Sequence, residues 1–94
     1  MKERRNLLDR FSSAADMQDE AIPGLPLIEI VGDRRVLIEH HCGVTEYGFG
    51  EIRIKVKHGS IAVYGNKLEL ARMTKEQLII CGCIEGVKLF RRGE

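Results

Sequence analysis

The stretch that most constrains the fold is Glu51 to Gly65, EIRIKVKHGSIAVYG. Ile52, Ile54 and Val56 alternate with Arg53, Lys55 and Lys57. A strand sends successive side chains to opposite faces, so this run buries one face and wets the other. A helix would need apolar residues three and four apart, and these stand two apart. His58-Gly59 interrupts the run, and glycine tolerates the positive φ of a tight hairpin turn. Ile61 and Val63 then resume the apolar face, with Ser60 and Ala62 opposite. The run reads as an antiparallel hairpin with one apolar and one basic face.

The same period extends both ways. Pro23 and Pro26 flank Gly24, which forbids a continuous helix and favours extended geometry before each proline. Strands are expected at Leu27 to Val31, Arg35 to His40, Val44 to Tyr47, Leu68 to Ala71, Leu78 to Cys81 and Cys83 to Phe90. Leu27 to Val31 is apolar on nearly both sides and is expected to be covered on both faces. Turns fall at Gly32-Asp33-Arg34, Gly48-Phe49-Gly50 and Gly65-Asn66-Lys67. Met73 to Gln77 is a polar link with room for one helical turn capped by Thr74. Gly82 and Gly86, inside apolar runs, suggest bulges or bends. A strand every eight to twelve residues implies an all-β domain, a small antiparallel sandwich or barrel-like meander of about seven to eight short strands. No fixed-period repeat is visible, and a short parallel solenoid is the minor alternative.

Ninety-four residues make one domain. Residues 1–24 read as an N-terminal helix or disordered tail with a Pro-Gly linker, 25–91 as the β-domain and 92–94 as a charged tail. In the first part, Leu7, Leu8, Phe11, Ala14 and Ala15 recur at helical spacing beside Lys2, Arg4, Arg5 and Arg10. No apolar signal region follows those basic residues, and no run approaches the roughly 18–20 apolar residues of a membrane span. Three cysteines, an odd number, suit a reducing compartment, so a cytoplasmic location is expected. The net charge of +1 and the lack of tryptophan make nucleic acid an improbable partner.

His40, His41, Cys42, Cys81 and Cys83 are the residues that could hold a soft metal such as zinc. Their spacing is not the Cys-x-x-Cys knuckle, and inert packing is the favoured reading. Cys42 with His58 could form a nucleophile pair, but no orienting group or oxyanion motif accompanies it. No catalytic residue and no cofactor are assigned. Arg53, Lys55 and Lys57, with Arg34 and Arg35 as candidate neighbours, form a row that could bind an anion or an acidic partner, against the plainer reading of a solvated face with acidic cross-strand partners. Edge strands of a small open sheet recruit further strands, the apolar Leu27 to Val31 and Leu78 to Cys81 runs have few glycines or prolines to protect them, and pairing between copies would also enlarge a small core, so a homo-oligomer is expected.

Leu25-Pro26, IEIVGDRRVLIEHHCGV, EIRIKVKHGSIAVYG and LELARMTKEQLIICGCIEGVKLF, in that order, resemble the YabP/YqfC family of sporulation proteins, nearer its YqfC branch. The positions that carry the resemblance are Gly32, Ile38, Glu39, His41, Gly43, Gly59, Gly82, Ile84, Gly86 and Val87. His40 stands where the family often has asparagine, Cys42 where it often has a basic residue, and Cys81 and Cys83 where cysteine is unusual. The resemblance implies a protein of endospore-forming bacteria, made in the mother cell and associated with the spore and its envelope. It implies no catalytic activity. The expected function is a structural or interaction module meeting other sporulation proteins; a small-ligand or metal-binding module, or a basic anion-binding face, is the alternative.

Overall fold

The alternation at residues 51–56 is borne out. Ile52, Ile54 and Val56 are buried, while Arg53, Lys55 and Lys57 face outward. A computed structural model describes residues 24–92, so the N-terminal helix or tail expected before Gly24 lies outside the described residues. The described chain forms six strands: β1 (Leu27–Val31), β2 (Arg35–Glu39), β3 (His41–Tyr47), β4 (Glu51–Val56), β5 (Gly59–Met73) and β6 (Gln77–Arg91). They build one sheet in the order β1-β2-β6-β5-β4-β3, antiparallel at every step.

Six strands replace the expected seven to eight for a specific reason. Each of β5 and β6 is two expected strands joined end to end. Gly65 to Lys67 is not a turn but an irregular stretch within β5, with register shifts on both sides and Lys67 at φ 54°. Gly82 plays the corresponding part in β6 at φ 141°. The first half of β5 pairs with β4 and with the end of β6, while the start of β6 pairs with β2 and with the second half of β5. The long hairpin thus runs through two four-stranded halves of one sheet. No β1–β3 pairing closes it into a barrel, and it is not divided into two separate sheets.

The connection from β2 to β3 folds the sheet over. In the strand order these two lie four positions apart, about 19 Å across a flat sheet. Only His40 separates them, and two peptide units reach about 7 Å. The sheet must therefore curl until β2 and β3 meet. Its inner faces then share one core: Val36, Ile38, Leu78 and Ile80 from one half, Ile52, Ile54, Ile61 and Val63 from the other, with Leu68 at the bend. His40 takes φ 63° and donates its N–H to the Glu76 carbonyl at 2.9 Å. Asparagine is among the few residues that adopt this left-handed conformation readily.

Other local expectations need correction. The β4–β5 turn is Lys57-His58, and the positive φ belongs to His58 at 68°, not to Gly59. Gly59 is required for close approach, since a Cβ there would collide with the Phe90 carbonyl of β6. The Met73–Gln77 link holds no helical turn. Thr74 closes a tight turn instead, with its Oγ1 accepting from the N–H groups of Glu76 and Gln77 at 3.3 and 3.1 Å. Leu27 to Val31 is not covered on both faces. As β1 it is an edge strand, with Leu27 52% and Ile30 53% exposed and only Ile28 packed on the core.

Two outcomes follow for stability. Gly65→Ala drives a methyl into the Cys83 carbonyl and should cost about 1–3 kcal/mol in urea unfolding. At His40, asparagine should be neutral or stabilising, whereas isoleucine should cost about 1–2 kcal/mol for a β-branched residue held at positive φ.

Candidate functional site

The candidate metal ligands are not brought together. His40 and His41 stand at the β2–β3 crossing, beside the β5–β6 turn. Register pairs Glu39 with Gln77 and Arg35 with Cys81, so Cys81 lies four residues along β2, about 13 Å from the histidine end. Cys42 and Cys83 are exposed and all three cysteines are free thiols. Among the described residues no group of three or more His, Cys, Asp or Glu side chains is placed to hold a metal. No hydrogen bond joins Cys42 to His58 among them either.

His41 has a structural task. Its Nδ1 accepts the Gly43 N–H at 3.0 Å, so the ring proton sits on Nε2, which donates to the Thr74 carbonyl at 2.8 Å. The ring clips the β2–β3 crossing to the turn between β5 and β6. Both nitrogens are occupied, and a metal would have to displace one of these bonds.

The basic row is real but unevenly charged toward solvent. Arg53 Nε donates to Glu51 at 2.6 Å and lies 3.9 Å from Glu46 on β3. The hydrogen bond to Glu51, helped by the charges of both carboxylates, pushes the Arg53 pKa up and keeps the guanidinium charged. Its head group also lies 4.7 Å from the centre of the Phe90 ring. The cross-strand acidic partner expected for a solvated face is therefore present in Glu46. Lys55 is exposed and makes no ion pair within 4 Å among the described residues. Arg34 and Arg35 are not close by: along β6, Cys81, the partner of Arg35, is about 23 Å from Lys88, the partner of Ala62.

Sequence reading missed the contribution of β6. Register places Lys88 across from Ala62, which is itself across from Arg53, and Phe90 across from Ser60 and hence Lys55. Lys88 Nζ lies 5.0 Å from the Phe90 ring centre, on a ring that Arg53 also approaches. Arg92 N–H donates to the His58 carbonyl at 2.8 Å and brings the end of the described chain against the β4–β5 turn. The alternation of Lys88, Phe90 and Arg92 was the available signal, but only strand pairing shows which neighbours they join.

The edges differ more than their sequences suggest. β3 carries two register shifts, one of them around Gly43 at φ 111°, and bulges of this kind blunt an edge. The second half of β5 is also guarded: Leu70 N–H donates to the Tyr47 hydroxyl at 3.1 Å and Leu68 N–H to the Phe49 carbonyl at 3.0 Å. Beyond β2, the N–H groups of Gly82 and Ile84 on β6 donate to the carbonyls of Arg34 and Asp33. Leu78 to Cys81, flanked by β2 and β5, is interior and not an edge; among the described residues β1 alone is a regular edge, with five consecutive pairs to β2 and an open outer side.

The molecule is thus a small all-β protein whose distinguishing features are surfaces: an apolar edge and a basic face. A model of the YabP family matches residues 26–94, and the chain belongs to this family. It is 25% identical over 89 residues, covering 94% of this chain and 96% of the relative, to a protein of Bacillus subtilis (strain 168) described as "Uncharacterized protein YqfC". No solved structure matches. Family membership supports an association with sporulation. Among the described residues no helix is long and apolar enough to cross a membrane.

Replacing Cys42, Cys81 and Cys83 together with serine should change unfolding stability by no more than about 0.5 kcal/mol per site, with no loss of bound zinc. His41→Ala, which removes two hydrogen bonds, should cost about 1–2 kcal/mol in the same assay.

Proposed function

We propose that this chain is a non-enzymatic assembly module of the sporulation programme, acting in the mother cell through addition of a strand to β1. The single observation that carries the reading is the state of that strand. It is the regular, unguarded edge, and Leu27, Ile30 and Val31 are all at least two-fifths exposed on it. An edge with unpaired backbone groups and apolar side chains on both faces is a template for another strand. Its one charge is Glu29. An antiparallel pairing of two copies centred on Ile30 sets Glu29 against Val31 and so keeps like charges apart. The fold supplies the complementary argument. A small domain gains core by association, and its other edges carry bulges or side-chain bonds that discourage pairing. The resemblance to the YqfC branch supports the cellular setting, and no catalytic arrangement belongs to the pattern that resemblance rests on.

The test is sedimentation or light scattering at high micromolar concentration. Wild-type protein should self-associate. Ile30→Lys, a change at a residue 53% exposed, should give a folded monomer with an unaltered circular dichroism spectrum. A wild-type chain that stays monomeric at that concentration sinks the self-pairing. In sporulating cells the same variant should lose localisation of a tagged copy, and full spore maturation with Ile30→Lys would refute the role assigned to this edge.

A further inference from the structure

The core is not closed at one end of the folded sheet. Leu89 points to the inner face, paired with buried Ile61, yet is 65% exposed. Around it lies a groove lined by Val56, Ile61 and Leu89, with Leu25 and Pro26 on its lip. Lys57, His58, Arg91 and Arg92 stand at its rim. The groove is the uncovered continuation of the hydrophobic core, so an occupant must offer apolar side chains and gains from negative charge.

From this we infer that the groove is the docking site of the chain's own N-terminal segment, with Leu7, Leu8 and Phe11 as its apolar anchors. Three observations converge on that occupant. The described chain begins at the groove itself: Leu25 and Pro26 line it, and a Cβ at Gly24 would lie 3.3 Å from Lys57 Nζ. The length is sufficient, since Phe11 lies thirteen positions before Gly24, a tether of at most about 45 Å. The charges nearest the anchor point are complementary, while Lys2, Arg4, Arg5 and Arg10 accompany the apolar anchors further along. Asp16, Asp19 and Glu20 are the part of the segment nearest the anchor point, and the rim they would meet carries Lys57, Arg91 and Arg92. Tethering supplies an effective concentration on the order of 1 mM, so even a contact with an intrinsic Kd of about 0.1 mM is made about nine-tenths of the time. The inference is independent of the β1 pairing, which uses a different part of the sheet.

The chain contains no tryptophan, so Phe11→Trp in the full-length protein places a unique fluorophore on the segment. Docking predicts blue-shifted emission and weak quenching by acrylamide at low salt. Adding Leu89→Glu, at an exposed position that leaves the circular dichroism spectrum unchanged, should move the emission to the red and raise quenching severalfold. Changing Asp16, Asp19 and Glu20 together to lysine should act in the same direction, and so should high salt, because the rim attraction is screened. The blue shift should persist on dilution. Solvent-exposed emission indifferent to Leu89→Glu overturns the proposal, as does a blue shift lost on dilution, which would place the segment on a second copy.

Discussion

The structure depends on the brevity of the β2–β3 connection. One residue joins two strands that stand four places apart in the sheet, and a flat sheet cannot satisfy that distance. Curling is therefore compulsory, and it brings two sets of alternating apolar residues face to face. Neither half could exclude water from its inner face alone. Together they bury Val36, Ile38, Ile52, Ile54, Ile61, Val63, Leu68, Leu78 and Ile80 completely. His40 in the left-handed region makes the crossing, and His41 secures it by bonding through both ring nitrogens.

Most residues that carry the family pattern acquire a mechanical meaning in this light. Gly32 and Gly82 hold positive φ values at a turn and a bulge, and Gly43 does so in the irregular start of β3. Gly59 allows β5 and β6 to approach closely. Ile38 is in the core, and Ile84 and Val87 pack against it. Gly86 borders the register shift that leaves Glu85 as an extra residue of β6, the irregularity its place in an apolar run suggested, although a Cβ there would meet no neighbour within 4 Å. The task of these positions in the structure is therefore largely one of folding. What distinguishes this chain chemically lies on its surfaces, in the apolar β1 edge and in cations gathered from β4 and β6.

Those surfaces were the least legible part of the sequence. The row Arg53, Lys55, Lys57 was visible because alternation within one strand is local. Its extension through Lys88 and the Phe90 ring was not, because it depends on which strand lies beside β5. The apolar character of Leu27 to Val31 was plain, but the same composition serves a strand covered on both faces and an edge strand left open. Position in the sheet, not composition, separates the two. The cysteine and histidine set failed in the opposite way: residues of suitable type exist, but the register sets Cys81 and Cys83 along β6 away from His40, His41 and Cys42 at the β2–β3 crossing.

By itself the sequence determined the two-residue period, the places where the chain departs from it, and which side chains share a strand face, because each of these follows from backbone geometry over a few residues. Tertiary structure decided whether Gly65 to Lys67 and Gly82 became turns or bulges within continuous strands. A departure from regular pairing is resolved by hydrogen bonds to distant chain segments: the Phe49 and Gly50 carbonyls beside one break, the Arg34 and Asp33 carbonyls beside the other. The same long-range choice of partners set the strand order and, among the described residues, left β1 at an unguarded edge and one end of the core uncovered.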